Sequence, residues 1–200
     1  MAVRFLSMFF LHVDSVFSMI ISAFWTANAL ICYGHFMRKF LPLLIIIGVL
    51  FFSSGQTYEQ QSLIPNLEEW LPSKPLESQL EKLQIPYWGK IISVEERGYY
   101  PFVEFLLRKA AHFFTFGLLA IAVYNVLPKI RYRTLVALFL TLALAIGDEY
   151  HQSLTGGRTP SSHDVLLDMS GAFTFLIVYL IIHLRLGTGK QKRKPRKSIN

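Results

Sequence analysis

The chain has 200 residues, 52% of them apolar and 17 of them Phe, with a mean hydropathy of +0.39; this balance argues against a soluble protein and for one membrane domain with lipid as its solvent. A single cysteine, Cys32, cannot make an intrachain disulfide, so nothing depends on an oxidising compartment. The net charge of +7 sits mainly in short runs beside apolar segments, where membrane orientation and anionic lipid explain it, and no fingerprint module or aromatic-interleaved basic groove points to nucleic acid.

Residues 1–36 are apolar but irregular. Val16 to Tyr33 is long enough to span, with His12 and Asp14 before it and Asn28 inside it. Two readings stand: an additional transmembrane helix, or a natural start at Met37, whose Met-Arg-Lys-Phe opening leads into an apolar run as a cytoplasmic end does. The second fits better. Arg4 is too thin a positive region, and no small-residue cleavage site follows, for a removable signal peptide. Phe40 to Ser54 is the first core span, extendable into its flanks to the ~17–25 residues that a crossing helix uses. Ser53-Ser54-Gly55-Gln56 ends it.

Gln56 to Pro101 is polar and interrupted by Pro65, Pro72, Pro75 and Pro86, which predicts a loop outside the bilayer. Within it Leu76, Leu80 and Leu83 recur at helical spacing and predict a short amphipathic helix, read either as packing on the domain or as a lid on the membrane surface. Trp70 and Trp88 flank that stretch and suit headgroup level. Phe102 to Leu127 is the second span, Thr134 to Ile146 the third and Val165 to Leu186 the fourth. Residues 187–200 form a basic tail. The expected fold is therefore all-α, a polytopic membrane bundle of four core helices, with 37–186 as the membrane domain.

The flanks Arg38-Lys39, Lys129 to Arg133 and Arg185 to Lys197 carry twelve Lys/Arg and no acid, whereas Gln56 to Pro101 carries four basic and seven acidic residues. The positive-inside rule then places those flanks and the C-terminus in the cytoplasm and the long loop outside. It follows that Arg108, Lys109 and His112, early in span two, meet Asp148, Glu149, His151, Gln152, Asp164 and Asp168, between spans three and four, at the outer leaflet. Charges at such a depth cost about 2.5–3.5 kcal/mol each at a helix centre, and opposite charges gathered in one pocket offset one another's desolvation. Asp148 and Gln152 share a helix face, as do Asp164 and Asp168, and Gly171 one turn on permits close helix approach. Arg158, in the Gly-Gly-Arg-Thr-Pro turn, is available to a carboxylate or a phosphate.

At Arg108-Lys109-Ala110-Ala111-His112-Phe113, Asp148-Glu149-Tyr150-His151-Gln152, Gly157-Arg158 and Asp164 through Asp168 to Gly171-Ala172, the chain resembles the VanZ-like family of bacterial membrane proteins. That family is named for a glycopeptide-resistance protein. Ser53-Ser54-Gly55-Gln56 also fits its pattern, and the resemblance runs from about Met37 to Leu186. Thr115 and Phe116 stand where an acid and Tyr are common, and Asp168 where Asn is common. The resemblance implies a bacterial cell-membrane location and, for the polar residues, a role with envelope lipids or their precursors, an undecaprenyl-linked one included; drug resistance does not follow from family alone.

Three functional readings compete. The charges form a structural network with no chemistry. Alternatively Arg108, Lys109 and Arg158 bind an anionic headgroup, while Asp148, Glu149, Gln152, Asp164 and Asp168, beside His112, orient them or read donors on a sugar. In the third, His112, His151 or His163, with Asp148 and Glu149, serves hydrolysis or transfer at a lipid phosphate or ester. For this last, Pro160-Ser161-Ser162-His163 resembles part of the phosphatidic-acid-phosphatase signature, but its downstream Ser-Arg and His are missing. His151, His163, Asp148, Glu149 and Asp164 are possible metal ligands whose spacing fits no compact motif, so no metal and no cofactor is expected. Four short spans without an inverted repeat do not resemble a secondary transporter.

Overall fold

The computed structural model describes residues 35–87, 89–155 and 161–191. The stretch 1–34, Trp88, the turn 156–160 with Arg158, and the tail 192–200 lie outside the described residues, so the expectations placed on them are not taken further. The elements are α1 (His35–Ser54), α2 (Ile64–Trp70), α3 (Glu77–Leu80), β1 (Ile85–Tyr87), β2 (Lys90–Ile92), α4 (Val94–Arg97), α5 (Tyr99–Val126), α6 (Arg133–Leu154) and α7 (Ser162–Gln191). Four of them, α1, α5, α6 and α7, are long and apolar enough to cross a membrane. The chain is an all-α membrane bundle with a small cap.

The span boundaries differ from those read in the sequence in instructive ways. Pro101 falls in the first turn of α5, where a missing N–H leaves no helical bond unmade, so the helix starts at Tyr99 and the proline does not end the loop. Gly98, at φ 85°, supplies the left-handed link that lets α4 turn into α5. Both α6 and α7 extend past their apolar runs, carrying Asp148 to Gln152 and Asp164 on helical backbone.

The long helices alternate in direction, and α5 and α7 run parallel. Lys109 meets Asp164 near one end and Asn125 meets Tyr179 near the other. These two helices make the most extensive contact in the bundle. Small residues permit it: a Cβ on Gly171 would stand 2.1 Å from the Phe113 carbonyl oxygen, and one on Gly117 would stand 2.5 Å from the Phe175 ring. In lipid there is no hydrophobic drive between helices, so such backbone proximity is what gives dispersion contacts their strength. The core behind this seam joins Phe116, Leu119, Ala122 and Val123 of α5 to Leu176 of α7, Ile46 of α1, and Ala137 and Ala145 of α6. Outward-facing Leu44, Phe51, Phe114, Leu135, Phe139, Phe173 and Ile177 are exposed, forming the surface that lipid solvates.

The loop 55–98 folds into a cap with its own core. Leu67 and Leu71, Ile92, and Val94 pack on Tyr99, Phe102 and Val103 at the start of α5, a burial that water drives at about 1.5–3 kcal/mol per large side chain. The helix expected around Leu76 to Leu83 is present as the single turn α3. Leu76 takes a left-handed φ of 63° after Pro75, and Leu76 and Leu83 remain exposed. The docking stripe belongs instead to α2, with Pro65 in its first turn and Leu67 buried beneath Glu68 and Glu69. The antiparallel pair β1 and β2, with Tyr87 opposite Lys90, was not legible from periodicity because each strand has only three residues.

Gly171→Ala should separate α5 from α7 at a cost of about 1–3 kcal/mol or more, read as a lowered Tm in detergent. Gly48→Ala, where an added Cβ meets nothing within 4 Å, should leave the Tm unchanged or slightly raised, given the better helix propensity of Ala.

Candidate functional site

Where the cap meets the bundle, polar side chains from α1, α5, α6, α7 and the cap converge. Lys109 Nζ forms a salt bridge with Asp164 Oδ1, and both groups lie within reach of the Tyr87 hydroxyl, 2.9 Å from Nζ and 2.7 Å from the carboxylate. Lys109 also sits 4.5 Å over the Tyr87 ring and 5.4 Å over that of Phe105, so its ammonium is enclosed by a carboxylate, a phenol and two π-faces. The hairpin of β1 and β2 is what delivers Tyr87 here. Its hydroxyl lies 3.1 Å from Ser161 Oγ as well, and the Ser161 N–H donates to Glu149 at 2.8 Å. Glu149 is thereby tied to the end of α7.

At the neighbouring position of α5, Arg108 pairs at 2.7 Å with Glu104, one turn earlier on the helix, and donates to Gln61 at 3.2 Å, with its guanidinium 4.6 Å over the Tyr58 ring. Glu104 also accepts from the Leu63 N–H at 2.9 Å. This pair fixes the cap to the bundle. Arg108 and Lys109, adjacent in sequence, therefore point to different partners, as neighbouring residues on a helix must.

Asp148 accepts from the Ser54 hydroxyl across to α1 and from Gln152 Nε2 at 2.7 Å on its own helix. Deepest lies Asp168, fully buried, with its carboxylate 3.3 Å from His112 Nδ1. His112 is thus the residue that faces the Asp168 carboxylate, and Phe116 stacks along its ring at 6.2 Å. Among the described residues, neither Asp168 oxygen nor Glu149 Oε1 has a hydrogen-bond partner, and Asp148 and Asp164 lie within electrostatic reach of His112.

The residues singled out in the sequence thus divide. Lys109, His112, Asp148, Glu149, Gln152, Asp164 and Asp168 are turned toward the junction of α5, α6 and α7, whereas Arg108 turns to Glu104 and Gln61. His151 instead stacks on Phe51 at 4.6 Å and 8°, and His163 is exposed beside the Tyr87 ring. Arg158 lies outside the described residues. Glu104, Gln61, Tyr58 and Tyr87 are members that the sequence reading omits, while Ser54 and Ser161 enter it within motifs but not as members of the cluster. Only Glu104 had a local signal, its four-residue spacing ahead of Arg108; Tyr87 arrives through a hairpin with no signature of its own.

Chemically, the cluster couples five carboxylates, Glu104, Asp148, Glu149, Asp164 and Asp168, to Arg108, Lys109 and His112. The part-exposed members are His112 (25%), Lys109 (22%), Arg108 (21%) and Asp164 (19%). Buried acids hold them in place from behind. Among the described residues, no group of three or more His, Cys, Asp or Glu is arranged to hold a metal ion.

Tyr87, in the cap, has its hydroxyl pKa raised above the ordinary 10.0, first by burial and then by the hydrogen bond to Asp164. A raised folded-state pKa means that Tyr87's contribution to stability is complete below pH 10 and is lost as pH rises above it. Tyr87→Phe should therefore abolish that share of the alkaline loss of Tm, and the phenolate absorbance missing from its titration should be a step centred above pH 10.

A family model described as VanZ/LLP1 matches residues 39–183, the bulk of the chain. No curated protein and no solved structure matches it.

Proposed function

This chain belongs to the VanZ-like family, a multi-pass membrane protein within it, and from that premise we propose that the polar cluster binds the headgroup of an anionic cell-envelope lipid or lipid-linked precursor at the outer leaflet. The observation that carries the reading is the position of Arg108 and Lys109. Each is pinned by a carboxylate on its inner side, yet keeps about a fifth of its surface open at the junction of lipid-facing helices and cap. A lipid phosphate reaches that junction without leaving headgroup depth, and two adjacent cations suit it. Asp164 and the Tyr87 hydroxyl lie beside them as partners for donors on a sugar or amine. The excess of basic residues on the other flanks supports an outward-facing cluster and a cytoplasmic C-terminus. A link to glycopeptide resistance rests on the family name alone.

A second reading, a purely structural network, is favoured by one observation: Arg108 and Lys109 each already carry an ion pair. Hydrolysis or transfer with His112 as base has the Nδ1–Asp168 contact in its favour, since a carboxylate there orients the ring and leaves Nε2 as the working nitrogen.

The double variant Lys109→Gln/Asp164→Asn separates the first two. It removes the pair together, so no buried charge is stranded. Headgroup binding predicts a fall of about tenfold in co-purifying anionic lipid at a Tm close to wild type; unchanged lipid with a lowered Tm would establish the structural network. In a deletion strain complemented at matched expression, His112→Ala and Asp148→Asn should fail to restore the wild-type lipid profile.

A further inference from the structure

At the end of the bundle away from Asp164, the last turn of α5, the connection to α6, the first turn of α6 and His183 of α7 surround an open cavity of about 480 Å³. Its walls carry Lys129, Arg131, Arg133 and His183, with Tyr124 and Thr134, and no carboxylate. None of the three cations forms an ion pair with a described acid. Every charged group of the cap-end cluster, by contrast, faces its opposite or a hydrogen-bond donor.

The cavity wall is fixed. Arg133 Nε donates to the Tyr124 carbonyl at 2.8 Å, and its guanidinium lies 4.0 Å over the Tyr124 ring. That ring meets Tyr179 edge-on at 5.9 Å; Tyr179 in turn donates to Asn125 at 2.8 Å and stacks on His183 at 6.0 Å. Charges that serve only to orient helices need no such fixed geometry. A guanidinium immobilised in a concave basic wall is instead suited to an oxyanion. Ile130 on the cavity wall and Leu135 and Phe139 along α6 are exposed and apolar, a surface along which an acyl chain lies if the headgroup occupies the cavity.

We propose that this cavity is a second lipid site, holding the phosphate of an anionic phospholipid in the leaflet opposite the cap. It is separate from the Lys109–Asp164 cluster and stands whether or not that cluster binds a headgroup.

The test uses the full chain in nanodiscs of phosphatidylglycerol and phosphatidylcholine, with retained lipid counted by native mass spectrometry. Lys129→Gln/Arg131→Gln should lower retained phosphatidylglycerol about tenfold and leave phosphatidylcholine unchanged. Arg38→Gln/Lys39→Gln removes the same charge from the same end without touching the cavity, and should alter retention less than about twofold. An equal fall in both double variants, or no fall in either, overturns the proposal. Arg131→Gln alone, at an exposed position, should give about a threefold fall and serves if the double variant is poorly folded. Inorganic phosphate in excess should leave the lipid in place; displacement of the lipid by inorganic phosphate assigns the cavity to a soluble phosphate and overturns the lipid assignment.

Discussion

A carboxylate held between membrane helices is tolerated only if its charge is offset inside the protein, and here the contact of Lys109 with Asp164 meets that condition. The pair bridges the two parallel helices that approach most closely. That approach in turn depends on Gly171, because its missing Cβ is where the Phe113 carbonyl stands. Electrostatics and packing are therefore one constraint: without the close seam the charges would face lipid singly, and without the charges the seam would have no polar registration at its cap end. His112 and Asp168 repeat the arrangement one turn deeper.

Two solvents divide the rest of the molecule. In the cap, water drives Leu67, Leu71, Ile92 and Val94 onto the first turns of α5. In the bundle, lipid dissolves Leu and Phe as readily as the protein does, so the contacts that matter are between small residues and polar ones. The polar cluster occupies the boundary between these regimes. Glu104 belongs to both, since it anchors Arg108 in the bundle and accepts the Leu63 N–H from the cap.

The two ends of the bundle are unlike in a way that bears on function. At the cap end, positive groups are enclosed by acids, a phenol and a loop domain, which favours a selective site over general attraction to a charged surface. At the other end, Lys129, Arg131 and Arg133 stand without acids around a shallow cavity. One lipid-facing protein thus presents two chemically different polar environments, and the central helices α5 and α7 run between them.

Long-range periodicity and charge were sufficient in the sequence to determine four crossing helices, the polar segment between the first two, and the placing of Lys109 and His112 at the level of Asp164 and Asp168. Those features depend on hydropathy over twenty residues or on helical spacing, which a linear text carries. The tertiary structure alone decided which charge faces which: Lys109 and not Arg108 takes Asp164, His112 takes Asp168, and His151 leaves the cluster to stack on Phe51. It also recruited Tyr87, whose three-residue strand carries no signal of its own, and gave Ser54 its partner in Asp148. The reason is physical. Pairing is set by the rotation and axial offset of one helix against another, and these follow from where Gly171 and Gly117 let the backbones touch, a property of surfaces in contact that no single segment encodes.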